Sequence, residues 1–152
     1  MNKEEANTES AYGIKIHDTP DKEAVKPFFF VAAEEEIKKH AMEAYPNECC
    51  GILMGNRIDG KIKISTAVKT VNTAREGDTG ACFSIDPLTL YGYEKKYKEK
   101  NIDIVGFYHS HPDKPAVVSD RDKEYMIPGM VYALVSSKRS GCSKIRLWMK
   151  EV

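Results

Sequence analysis

Apolar positions along the chain change their period several times, and each change marks an element. Ile37, Ala41, Ala44 and Tyr45 recur at helical spacing, which predicts a helix from about Ala32 to Ala44 that Pro46 ends. Phe28 to Val31 before it reads as a short strand. Cys50 to Met54, between glycines, has the unbroken apolar character of a buried strand. Asp59-Gly60 follows Ile58 and precedes the alternating Ile62 and Ile64, a hairpin signal with a returning strand towards Val71. Gly77 to Gly80 reads as a loop, and Phe83 and Ile85 as a short alternating segment. Asp86 then caps a second helix with Pro87 at its first position, running to about Lys100 with Leu90, Tyr91 and Tyr97 free to pack. Ile102 to Tyr108 is a strongly apolar strand. Ser119 opens a short third helix closed by Pro128 and Gly129, and strands are expected at Val131 to Ser136 and Ile145 to Met149. Helices inserted among strands predict an α+β (mixed α/β) class around one sheet.

The 152 residues suit one domain. Residues 1–26 are charged and weakly patterned, which predicts a flexible extension with one short strand at Tyr12 to Ile16, ahead of a compact domain over 27–152. With 23 basic and 23 acidic residues the formal charge is zero, which disfavours nucleic acid as a partner. No apolar run suits a membrane span, and Met1 to Ser10 lacks the basic start and apolar core of a secretory signal, so a cytoplasmic location is expected. Cys49, Cys50, Cys82 and Cys142 show no C-x-x-C spacing and read as buried free thiols.

The chemistry gathers after the Ile102 strand. His109 and His111 lie two apart on an extended backbone and so point the same way, able to converge on one ion. Asp122 is a candidate third ligand, and two imidazoles with a carboxylate suit zinc with an open fourth position. Ser119 and Asp122 also fit an ordinary helix cap, a Ser at the N-cap and an acid three residues on. A hydrolytic zinc centre needs a base that is not itself a ligand. Glu48, at the edge of the Cys50 strand, is the candidate. His17 and His40 read as solvated, and Glu94 to Lys100 as a solvated helix face.

Together these residues resemble the JAMM motif: a distant Glu (Glu48), His109-Ser110-His111, seven residues from Pro112 to Val118, Ser119, two more, and Asp122. Pro46 to Gly55, Phe83-Ser84-Ile85-Asp86-Pro87 and Ile104 to Tyr108 are similar to segments of the same family, and the resemblance covers about residues 28–149. It implies an MPN (cytidine-deaminase-like) fold, a curved mixed sheet packed with helices. It also implies a zinc metallopeptidase with one Zn2+. His109, His111 and Asp122 would be the ligands with water as the fourth, Glu48 the general acid/base, and Ser119 would assist the tetrahedral intermediate. Many relatives carry Pro before the motif Ser, where this chain has Val118.

The resemblance further implies a substrate: the amide bond after the C-terminal Gly-Gly of a ubiquitin-like protein. The compactness of the domain favours short stand-alone prokaryotic members linked to sulfur-carrier-type proteins, with no nucleic acid or membrane involved. Glycine in such a tail lets the backbone approach a metal closely. The competing readings are a catalytically silent MPN scaffold, a DNA-repair-associated relative, and a zinc deaminase, whose His-x-Glu and Pro-Cys-x-x-Cys elements are missing.

Overall fold

A computed structural model describes residues 7–9, 15–18, 28–74 and 83–150. The described elements are β1 (Asn7–Glu9), β2 (Lys15–Asp18), β3 (Phe28–Phe29), α1 (Val31–Ala44), β4 (Cys50–Ile58), β5 (Lys61–Thr70), α2 (Pro87–Lys98), β6 (Asp103–Pro112), α3 (Asp120–Tyr125), β7 (Val131–Lys138), β8 (Gly141–Cys142) and β9 (Arg146–Lys150). They form one mixed sheet in the order β1-β2-β9-β7-β6-β4-β5-β3, with β8 paired to the end of β7. The expected α+β architecture is therefore present. Most neighbours are antiparallel, but β6 and β7 run parallel and are joined through α3. No helix among the described residues is long and apolar enough to cross a membrane.

The β4–β5 hairpin forms at Asp59-Gly60, and both residues take positive φ (51° and 76°) as a type I′ turn requires. β4 runs four residues past the expected Met54. The ladder shifts register at Met54/Gly55, and a Cβ at Gly55 would overlap the Lys63 backbone, so glycine lets the two strands close there. The main core packs Ile37 and Ala41 of α1 against Leu53, Ile64, Val105, Val131 and Val135 of the sheet. A second, smaller core gathers Ala116, Val118, Met126, Tyr132, Leu134 and Trp148 beneath the chain that leads into and out of α3.

Several expectations are corrected. The first short strand stops at Phe29, because Val31 already belongs to α1. Phe83–Ile85 forms no strand: Asn72 Oδ1 accepts the Ser84 N–H at 3.0 Å, where a neighbouring strand would have supplied a carbonyl. α2 ends at Lys98 and buries none of its residues, with Leu88 78% and Tyr91 63% exposed. His40 is buried rather than solvated, its Nδ1 2.7 Å from the Tyr108 hydroxyl. β8 was not anticipated. The strand expected at Tyr12 to Ile16 overlaps β2 only at Lys15 and Ile16. Its first residues, the Gly77–Gly80 loop, Cys82 and the His17 side chain lie outside the described residues.

Candidate active site

Strand periodicity delivers the two imidazoles. His109 and His111 stand on one face of β6 near its C-terminal end, both buried, while Ser110 between them points the other way. β6 lies between β4 and β7, with Cys50 opposite His109 and Leu134 beside it. Ser110 uses its alternate direction to brace the neighbouring chain. Its Oγ accepts the Cys49 N–H at 2.9 Å, and its own N–H donates to the Cys49 carbonyl at 3.1 Å. This fixes Glu48, one residue earlier, beside the imidazoles. The Glu48 carbonyl also accepts from Asn72 Nδ2 at 3.0 Å. At Gly51 a side chain would overlap the Tyr108 ring and the Val68 carbonyl oxygen, so glycine is needed for β4 to lie this close.

Asp122 arrives from the helical side. Ser119 caps α3, its Oγ accepting the Asp122 N–H at 3.0 Å, while Asp122 Oδ2 accepts the Ser119 N–H at 2.9 Å. The capping reading is thus correct, and it coexists with a second set of contacts. Asp122 Oδ1 lies 3.3 Å from His109 Nε2, and Oδ2 lies 3.1 Å from His111 Nε2. The two Nε2 atoms are 3.1 Å apart. Each imidazole faces its own Asp122 oxygen, and all three separations are close to the roughly 3.3 Å between ligand atoms of a tetrahedral zinc site. His111 Nδ1 faces the Pro115 carbonyl at 2.9 Å, which fixes the tautomer with Nε2 free to bind. A Glu48 oxygen falls within 4.8 Å of the imidazole nitrogens, so Glu48, His109 and His111 also form a group able to hold a metal ion.

The two carboxyl groups are held in opposite states. Burial pushes Glu48 up to about 7; the nearby His111, Lys114 and Arg121 oppose that push and Asp122 adds to it. Burial also acts against the Asp122 carboxylate, but hydrogen bonds from His109, His111 and the Ser119 N–H hold it well below the usual range. Burial lowers His109, whose Nδ1 has no partner. For His111, burial is outweighed by its bonds to Asp122 and Pro115, and its pKa is raised. Burial therefore raises one carboxyl, while hydrogen bonds lower the other. Cys49 and Cys50 are buried free thiols pushed up to about 11 by burial, which removes them as thiolate nucleophiles.

All five predicted site residues line one cleft of about 570 Å³. Its wall includes residues the sequence did not single out for a role. The Phe83 ring stacks on His109 at 4.4 Å between centroids. Lys114 and Arg121 bring two cations to the same cleft. Trp148 Nε1 donates to the Ala116 carbonyl at 3.2 Å, Ile127 N to the Tyr132 hydroxyl at 2.7 Å, and Lys150 Nζ to the Lys123 carbonyl at 3.0 Å, pinning the chain around α3. Val118, just before the capping Ser119, is buried in the second core.

The family described as prokaryotic homologs of the JAB domain matches residues 31–149. Desampylase of Haloferax volcanii is 32% identical over 109 residues, 68% of this chain and 76% of that protein. The probable TtuB-protein conjugate cleaving protease of Thermus thermophilus is 29% identical over 89 residues, 58% and 55% of the two chains. The fold resembles solution structures of a Desulfitobacterium hafniense protein (TM-score 0.65, 26% identity, 77% of this chain and 88% of that one) and a Salinibacter ruber protein (0.61, 29%, 80% of each).

Proposed function

Because this chain belongs to the family of prokaryotic homologs of the JAB domain, we propose that it is a zinc-dependent JAMM-type peptidase or isopeptidase, hydrolysing the amide bond after the C-terminal Gly-Gly of a ubiquitin-like, sulfur-carrier-type protein. The names of its relatives, a desampylase and a protease of TtuB-protein conjugates, support that substrate class. One observation carries the reading: two convergent imidazoles, the Asp122 carboxylate within 3.3 Å of them and the Glu48 carboxyl gather in one cleft. The scaffold reading leaves that arrangement without a use.

His109, His111 and Asp122 would hold the metal. Zinc in that position supplies Lewis acidity to the scissile carbonyl and acidifies a water. Glu48, as carboxylate, takes a proton from the attacking water as its oxygen bonds to the carbonyl carbon. Protonated Glu48 then delivers that proton to the nitrogen as the C–N bond breaks, leaving a tail carboxylic acid and a free amine. The Ser119 hydroxyl accepts the Asp122 N–H and retains its own hydrogen for the developing oxyanion. The second core and its three pinning bonds hold Asp122 and Ser119 in place while the substrate enters.

The test incubates zinc-loaded protein with Gly-Gly-tailed carriers bearing amide-linked C-terminal extensions and weighs the intact products. Loss of the extension, abolished by chelation and restored by zinc, is expected. Unchanged masses with carriers from the same genome would overturn the proposal.

A further inference from the structure

One side-chain amide connects two segments that close on the imidazoles. Asn72 lies two residues beyond the end of β5 and is half-buried. Its Nδ2 donates to the Glu48 carbonyl at 3.0 Å. Its Oδ1 accepts the Ala74 and Ser84 N–H groups, each at 3.0 Å. A carbonyl on one side and two N–H groups on the other leave the amide a single satisfactory orientation. The Glu48 carbonyl and the Cys49 N–H belong to one planar peptide unit, and Ser110 Oγ accepts from the N–H end at 2.9 Å. That unit is therefore held at both ends, by Asn72 and by Ser110. The Ser84 N–H belongs to the peptide unit that follows Phe83, whose ring stacks on His109 with 4.4 Å between centroids and 27° between planes. The Ser84 carbonyl is held in turn by the Thr73 N–H at 2.9 Å and the Thr73 hydroxyl at 3.1 Å.

The amide is planar and rigid, so its two ends cannot move independently. The Glu48 backbone on one side and the Phe83 wall of His109 on the other thus keep one separation. Displacing a reacting group by about 1 Å is enough to slow a reaction. We propose that Asn72 is a positioning residue for the hydrolysis, its amide tying the Glu48 backbone to the segment that lays Phe83 on His109. The inference rests on the peptidase reading above and deepens it. Asn72 does not line the cleft, so it acts through Glu48 and Phe83 and not on the substrate.

Asn72→Asp and Asn72→Ala separate the two ends of the tie. Asp keeps an acceptor for Ala74 and Ser84 and sets a second oxygen against the Glu48 carbonyl, whereas Ala removes both contacts. The zinc-loaded proteins are compared on a Gly-Gly-tailed carrier with an amide-linked extension. In both variants kcat should fall about 10-fold with KM within about twofold of wild type. Zinc affinity, read by competition with a chromophoric chelator, should hold within about twofold in Asn72→Asp and weaken about 10-fold in Asn72→Ala. If Asn72→Ala does not fold, Asn72→Ser takes its place. Wild-type kcat in Asn72→Asp overturns the inference and leaves the peptidase reading standing. So does a fall confined to Asn72→Asp, which would be the work of its charge. So does a loss of zinc affinity in Asn72→Asp that matches its loss of kcat, or unchanged zinc affinity in all three proteins. No cleavage by the wild-type protein overturns both.

Discussion

Replacing Glu48 with Gln keeps the shape of the side chain and removes its charge. In the metal-free folded protein, burial holds this carboxyl at about 7 against its ordinary 4.5. As pH rises from 4.5 to about 7 the unfolded chain has already released this proton and the folded chain has not. The folded state binds more protons in that window, so wild-type stability falls with rising pH and the loss is complete above about 7. Converted directly, the displacement is about 3 kcal/mol at pH 8. Glu48 is 5% exposed but lines an open cleft, and solvent screening there leaves about 1–2 kcal/mol. The Glu48→Gln protein should therefore be more stable than wild type by that amount at pH 8, with the gap closing as pH approaches 4.5. Urea unfolding of EDTA-dialysed protein across this range measures it. Zinc-loaded, the same variant should lose at least about 100-fold in turnover while retaining the metal. Gaining stability and losing activity together is the mark of a charge buried for function. A gain of equal size at pH 5 and pH 8, or none at pH 8, would refute the reasoning.

Ser110→Ala leaves the buried Cys49 N–H without its partner, and we expect a loss of about 1–3 kcal/mol in unfolding experiments; Ser110→Thr should restore most of it, and failure to do so would show that the hydroxyl is not the brace. Gly51→Ala places a methyl group against the Tyr108 ring and the Val68 carbonyl, with an expected cost of about 1–3 kcal/mol read as a lowered Tm; an unchanged Tm would mean that the strands are less close than described. Burial lowers the pKa of His40, Lys69 lowers it further, and Glu43 opposes them. Its contribution to stability is therefore present above 6.5 and lost as pH falls through the lowered folded value. His40→Gln should flatten the acid limb of the stability profile below pH 6.5, and an unaltered limb would remove His40 as its source.

The period-two reading placed His109 and His111 on one face correctly because strand geometry leaves no other choice. It also recognised Ser119 as a cap, and the structure shows that capping and ligand-like contacts are compatible in one residue pair. The expected strand stops at Met54 because Gly55 reads as its flank, whereas Gly55 is the residue that permits the ladder to continue. His40 lies three residues after Ile37, on the helix face that buries Ala41. Polarity alone argued against burial, and the Tyr108 hydroxyl that satisfies it is far away in sequence. Tyr91, expected to pack, misled in the other direction and is exposed, since an apolar residue at helical spacing says nothing about whether a partner surface is within reach. Glu48 and Asp122 are both carboxylates in sequence. Their opposite character comes from desolvation in one case and three hydrogen bonds in the other, both products of tertiary structure.

The ladder that seats Cys50 opposite His109 also sets when the site can come into being. Glu48, just before β4, is held beside the imidazoles only where β6 pairs with β4 and its Ser110 is bonded to Cys49. β6 in turn needs β7, its parallel partner, which is reached only after α3 has been threaded across. Closing loops of this span costs chain entropy and slows folding. A nascent or truncated chain would thus carry every residue of the site and none of its chemistry. A hydrolytic centre assembled from distant segments in this way is switched on by completion of the fold itself, which guards against stray hydrolysis by fragments.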